Sequence, residues 1–77
     1  MQRVEVTWID ASMNTGWSTK EEALKVQPPV CYSVGWLLKR TRKMVLLVLS
    51  RGEGENSHVA DVLTIPAGMV KKVRTLR

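Results

Sequence analysis

The chain has very few of the residues that build metal sites, disulfides and nucleophilic catalytic sites. Its 77 residues include one cysteine, one histidine and no phenylalanine. Because Cys31 is alone, an internal disulfide cannot form, and a reducing compartment suits the chain. A metal site needs several cysteine or histidine ligands at characteristic spacings, and the chain offers only Cys31 and His58. We therefore expect no metal site, no cofactor and no catalytic residue, which favours a binding protein over an enzyme.

Long hydrophobic runs are also missing. The longest apolar run is six residues, from Met44 to Leu49, whereas about 20 are needed to cross a bilayer as a helix. Residues 1–5 carry charge and show no apolar segment of the signal-peptide type. The sequence predicts a soluble, cytoplasmic protein that does not enter a membrane.

Positive charge is concentrated in the second half of the chain. The net charge is +5, but residues 1–38 hold three basic and four acidic side chains, and residues 39–77 hold nine basic and three acidic ones. The electrostatic field of this positively charged half attracts acidic or polyanionic partners and speeds their association. The candidate binding residues are the basic side chains of a predicted hairpin tip and of the last predicted strand: Lys39, Arg40, Arg42, Lys43, Lys71, Lys72 and Arg74.

Short β-rich runs between turn-forming residues predict five strands in one domain, residues 1–77. In the first strand Val4, Val6 and Trp8 alternate with polar residues, which places them on the buried side. Gly35, inside the second strand, indicates a bend, a bulge or a close approach of another backbone. The predicted strands are residues 3–9, 30–39, 44–49, 59–65 and 70–76.

One short helix and one tight turn complete the predicted fold. Ser18 and Glu21 match a capping box, which predicts a helix over residues 19–25 that lies over one end of the sheet. Pro66 fixes its own φ and Gly68 can take a positive φ, so a tight or 3₁₀-like turn is expected before the last strand. This pattern favours a mainly β fold, a small five-stranded SH3-like or Sm-like barrel with one short helix after the first strand. An OB-type barrel is the main structural rival, but no helical pattern lies between the third and fourth strands.

Four segments, in this order, resemble a family of small proteins encoded by tailed phages and prophages. The segments are Val6-Thr7-Trp8-Ile9-Asp10-Ala11, Gly16-Trp17, Val34-Gly35-Trp36-Leu37 and Thr64-Ile65-Pro66-Ala67-Gly68-Met69-Val70. The resemblance implies an SH3-like or Sm-like barrel and an accessory protein that acts in the cytoplasm of the host cell. It implies no catalytic activity, and the basic residues 39–43 do not stand out in the family's pattern.

The third predicted strand is apolar on both faces. In a small barrel, alternate residues of a strand should face water, yet residues 44–49 are all apolar. Either the predicted helix and the loop around Trp17 cover the outer face, or a second subunit covers it in a homo-oligomer formed through the strand from Met44 to Leu49.

Taken together, these features favour a small non-enzymatic binding module that docks on a host or phage protein. The alternative is a nucleic-acid-binding protein that uses the basic hairpin tip and the basic last strand on phosphates. Binding of single strands also needs exposed aromatic side chains, and we expect most tryptophans to be needed in the core of so small a protein. A third, less favoured possibility is an oligomer that sequesters a small ligand in a pocket lined by Trp17 or Trp36.

Overall fold

A computed structural model describes residues 1–54 and 57–77 of the chain. Within these residues, five antiparallel strands form one sheet, and one short helix, α1 (Lys20–Ala23), follows the first strand. The strands are β1 (Arg3–Ile9), β2 (Val30–Arg40), β3 (Met44–Arg51), β4 (Val59–Pro66) and β5 (Val70–Thr75), and a 3₁₀ helix covers Ala67–Met69. The mainly β class, the five strands and the place of the helix are confirmed.

Three strands extend beyond their predicted ends. Arg40 of β2 pairs with Val45, and Arg51 of β3 pairs with Val59. The sequence prediction ended β2 at Lys39, β3 at Leu49 and β4 at Ile65, and it carried β5 to Leu76, one residue beyond its observed end at Thr75. Ladder hydrogen bonds join backbone groups, so pairing continues into charged and polar positions.

The sheet has the order β4-β3-β2-β1-β5, so β4 and β5 are its two edges. Only the three residues of the 3₁₀ helix separate these edge strands. The chain from Pro66 to Val70 can span at most about 14 Å. The sheet therefore curves enough to bring the end of β4 and the start of β5 within this distance, and the predicted 3₁₀-like turn is confirmed.

The hydrophobic core lies on one face of the sheet, which we call the inner face. Val4 and Val6 are buried, as their alternation predicted, and Trp8 packs beside them half-buried. The indole Nε1 of Trp8 donates a hydrogen bond to the Ser33 hydroxyl at 3.0 Å, which satisfies the polar end of this large ring. The other buried members of the cluster are Val45, Leu47 and Ile65.

Gly35 marks a close approach between β2 and β3. A Cβ at this position would lie 2.8 Å from the backbone oxygen of Val48. Farther along β2 the register with β3 shifts between Leu37 and Lys39, which indicates a bulge at the intervening residue. Of the three alternatives predicted for Gly35, a bend, a bulge or a close approach of another backbone, the structure shows the close approach.

The helix is shorter than predicted and starts later. The Thr19 hydroxyl accepts a hydrogen bond from the backbone N–H of Glu22 at 3.1 Å, so Thr19 is the N-cap. The prediction of a Ser18 cap and of a helix over residues 19–25 was wrong. Two overlapping segments, Ser18 to Glu21 and Thr19 to Glu22, share the capping-box spacing, and the second one caps the helix.

Residues 10–29 form a long connection between β1 and β2, which we call the arm. The backbone N–H of Asp10 donates to the carbonyl of Pro29 at 3.0 Å and closes its base. Every residue from 11 to 29 is exposed, including all of α1. The prediction that the helix lies over one end of the sheet was therefore wrong, because the arm has no apolar stripe that packs on the sheet.

The outer surface of β3 is not covered by the arm. Val48 is fully buried, and in the register it lies between Trp36 of β2 and Val62 of β4. Leu49, the next residue, lies on the inner face and is 62% exposed. Because every residue from 11 to 29 is exposed, cover of the outer face by the helix and the Trp17 loop is excluded, and a homo-oligomer formed through Met44 to Leu49 stays a prediction.

No helix among residues 1–54 and 57–77 is both long enough and apolar enough to cross a membrane.

Candidate interaction surface

Four of the predicted binding residues lie together at the turn between β2 and β3. Lys39 and Arg40 end β2, Arg42 and Lys43 lie in the turn, and all four are exposed. We call residues 39–43 the basic tip. The Thr41 hydroxyl accepts hydrogen bonds from the backbone N–H groups of Lys43 and Met44, each at 3.1 Å. Thr41, the one uncharged residue of the basic tip, therefore stabilises the turn, and the four cationic side chains are exposed to solvent.

The other three predicted residues lie on β5. Lys72 is opposite Thr7 of β1, and Arg74 is opposite Glu5. Arg74 Nη2 lies 3.1 Å from Glu5 Oε1 in a salt bridge whose arginine side chain is 55% exposed. Val73, between the two cations, packs on the core, so Lys72 and Arg74 lie on the opposite, outer face of the sheet. Lys71 lies at a register shift next to them.

The curvature of the sheet brings the β2–β3 turn toward the start of β5, although the register places the two at opposite ends of β1. The backbone N–H of Ala67, in the 3₁₀ helix, donates to the carbonyl of Lys43 at 2.8 Å. Lys71 follows Ala67 by four residues, which is at most about 14 Å of chain. Lys43 and Lys71 therefore lie within about 20 Å of each other, whereas Arg74 lies farther along β5.

The arm presents three large apolar side chains, of which the sequence analysis named only Trp17, as a possible wall of a small-ligand pocket. Met13, Trp17 and Leu24 are 86%, 104% and 84% exposed. The base of the arm follows Trp8, and Trp8 pairs with Val70 at the start of β5. The arm therefore leaves the sheet close to the 3₁₀ helix and the basic tip. One sequence signal could have indicated their exposure: these apolar residues are isolated among polar ones and do not follow the spacing of a helix or a strand.

The aromatic residues are divided between the core and the surface. Trp8 belongs to the core, and Trp36 is half-buried with the Arg51 guanidinium carbon 5.3 Å from its ring centre. In contrast, Trp17 is fully exposed and Tyr32 is 68% exposed. The expectation that most tryptophans serve the core therefore does not hold for Trp17.

A small, open pocket lies at the loop end of the β3–β4 hairpin. Its volume is about 130 Å³, and His58 and Arg51 contribute to its wall. Neither Trp17 nor Trp36 lines it, so it gives no support to a ligand pocket built on these rings. In the part of the chain that the structure describes, no group of three or more His, Cys, Asp or Glu side chains could hold a metal ion.

Comparisons of the chain with protein-family models, with curated proteins and with solved structures find no match.

Proposed function

We propose that this protein is a small non-enzymatic binding module that docks on another protein through the arm and the basic tip. One observation carries the proposal: Met13, Trp17 and Leu24 stand exposed on an arm that buries none of its residues from 11 to 29. Apolar side chains that are exposed in the free protein are stabilised when a partner removes them from water. Tryptophan is also among the residues that contribute most to protein–protein binding energy.

Charge near the arm favours an acidic partner. The basic tip carries four exposed cations, and among the described residues none of them forms a salt bridge. Charges at the rim of an interface mainly speed association and exclude partners of like charge. In this proposal the arm supplies the apolar contact, and the basic tip steers the protein toward an acidic surface.

We further propose that the sheet belongs to a barrel of the SH3-like or Sm-like kind and that the protein is a phage or prophage accessory protein acting in the host cytoplasm. A three-residue 3₁₀ helix joins the two edge strands of the antiparallel sheet. This short connection supports a strongly curved, barrel-like sheet. The resemblance of the four sequence segments supports the family and its phage context.

Affinity capture from a host lysate tests the docking role of the arm. We expect Trp17→Ala with Leu24→Ala to reduce the amount of the captured partner protein at least tenfold, since a single hot-spot side chain contributes about 2 kcal/mol or more. The matched control is Leu49→Ala with Val62→Ala, which removes apolar side chains that are 62% and 53% exposed on the sheet. Tm should stay nearly unchanged in the arm variant, because its two side chains lack buried contacts.

Two outcomes would overturn the arm-docking proposal. If the arm variant captures as much protein as the wild type, or if only the sheet variant loses the partner, the arm is not the docking element. If nuclease treatment of the lysate abolishes capture, the partner is held through nucleic acid, and the alternative function replaces this one.

Nucleic-acid binding through the basic tip and β5 is the second candidate function. It is supported by the hydrogen bond between Ala67 and Lys43, which brings the start of β5, with Lys71, toward the basic tip. Each phosphate contact made by such cations releases a counterion and makes binding weaker as salt rises.

A further inference from the structure

We infer that the outer face of the sheet is a binding site for single-stranded nucleic acid, with Tyr32 as the stacking side chain and Lys72 and Arg74 as phosphate contacts. The site uses neither the arm nor the basic tip. It therefore stands independently of protein docking through the arm, and it places any nucleic-acid binding on a different surface from the basic tip.

An exposed aromatic and apolar row runs along β2. Tyr32 is 68% exposed, and Val30 and Val34, its neighbours on the same face, are 47% and 49% exposed. Successive residues on one face of a strand are about 6.7 Å apart. Tyr32 is thus an open ring between two small side chains, on which a base can stack. Stacking tolerates any sequence because every base has a π face.

A row of cations runs parallel to this aromatic row. Tyr32 is opposite Thr7 of β1, and Thr7 is opposite Lys72 of β5. In the next row of the same face, Val34 is opposite Glu5, which is opposite Arg74. Adjacent strands are about 4.8 Å apart, so the aromatic and cationic rows are separated by about 10 Å across β1. A strand of nucleic acid lying along the sheet can place its bases on β2 and its phosphates on β5.

The charge balance of this face suits a polyanion. Its exposed cations include Arg3, opposite Trp36, in addition to Lys72 and Arg74. Glu5 is the carboxylate within this set, and it accepts a hydrogen bond from Arg74. A guanidinium has five N–H donors, and the Arg74 side chain is 55% exposed. Arg74 can therefore bind a phosphate while it stays paired to Glu5.

An apolar protein surface fits this face less well. A protein that covered Tyr32 and Val34 would also have to desolvate Lys72 and Arg74 two strands away, or supply carboxylates to them. Removing unpaired charges from water is costly. A nucleic-acid strand carries its own phosphates at regular intervals and leaves no cation of this row unpaired.

Fluorescence anisotropy with labelled oligothymidylate of about 12 nucleotides, a length within the site sizes of small single-strand binders, tests the site. We expect Tyr32→Ala to weaken binding about tenfold or more, because one stacked base contributes about 1–3 kcal/mol. Tyr32→Phe should retain most of the affinity, since the ring remains. Lys72→Gln should reduce the slope of log affinity against log salt by about 0.7, the loss of one single-strand phosphate contact.

The matched control is Val62→Ala, on the same face but on β4, where it is 53% exposed; its affinity should equal that of the wild type. Glu5→Gln removes the carboxylate and should strengthen binding severalfold. Unchanged Tm in Tyr32→Ala shows that the variant is folded, and Tyr32→Phe and Lys72→Gln test the site without removing the ring.

Two results would overturn the outer-face site. One is no anisotropy change with the wild type at about 50 mM salt, where phosphate contacts are strongest. The other is full affinity in Tyr32→Ala together with lost binding in Arg40→Glu with Arg42→Glu, which would assign nucleic acid to the basic tip. Neither result affects the capture experiment, because that experiment depends on Trp17 and Leu24.

Discussion

Replacing Ile65 by alanine is expected to lower the free energy of unfolding by about 3 kcal/mol, because it leaves a cavity in the core. Ile65 is fully buried and lies opposite Val45, another core residue. A domain of this size loses about 4–8 °C in Tm for each kcal/mol. Thermal unfolding followed by circular dichroism should therefore show a Tm about 15 °C lower.

The matched control for this prediction lies on the same strand. Val62→Ala shortens a side chain that is 53% exposed, so its effect should stay below about 1 kcal/mol. If the two variants lost equal free energy of unfolding, the core would not lie on the face of β4 to which Ile65 belongs.

Gly35→Ala is expected to lower Tm by about 10 °C. The added Cβ would lie 2.8 Å from the backbone oxygen of Val48, and backbone in the middle of a sheet cannot move aside as the end of a flexible side chain can. Overpacking of this kind costs about 2 kcal/mol, which corresponds to that shift for a domain of this length.

Gly68→Ala is the control for the added methyl group. A Cβ at Gly68 meets no atom within 4 Å, and its backbone does not take a positive φ. Its Tm should stay unchanged or rise slightly, because alanine restricts the unfolded chain more than glycine does. A neutral Gly35→Ala variant would show that β2 and β3 are not held as close as the structure places them.

The strands were predictable because a half-buried strand leaves a period of two in the sequence. Val4 and Val6 show that period clearly, and β1 has its predicted bounds. The ends of β2 and β3 were less predictable, because Arg40 and Arg51 pair through backbone groups that leave no trace in side-chain hydrophobicity. The 3₁₀ turn was predictable from Pro66, which cannot donate a ladder hydrogen bond.

The arm was not predictable from local rules. Composition alone places a tryptophan of a small protein in its core, and only the three-dimensional arrangement shows that Trp17 is fully exposed. The cations of the basic tip could be located, because a run of charge between two apolar strands marks a turn. Their proximity to Lys71 depends on the hydrogen bond between Ala67 and Lys43, a long-range contact that no local pattern encodes. The juxtaposition of Tyr32 and Lys72 likewise depends on the register of three strands.

Photo-cross-linking from position 18 in cells is the most direct test that the arm docks on a protein. Ser18, an exposed residue next to Trp17, is replaced by benzoylphenylalanine, so that Trp17 is kept. A matched control carries the same group in place of Leu49, which is 62% exposed on the sheet. We predict a discrete adduct with a second protein from position 18 and none from position 49. No adduct from position 18, or an adduct only between two copies of this chain, would contradict docking through the arm.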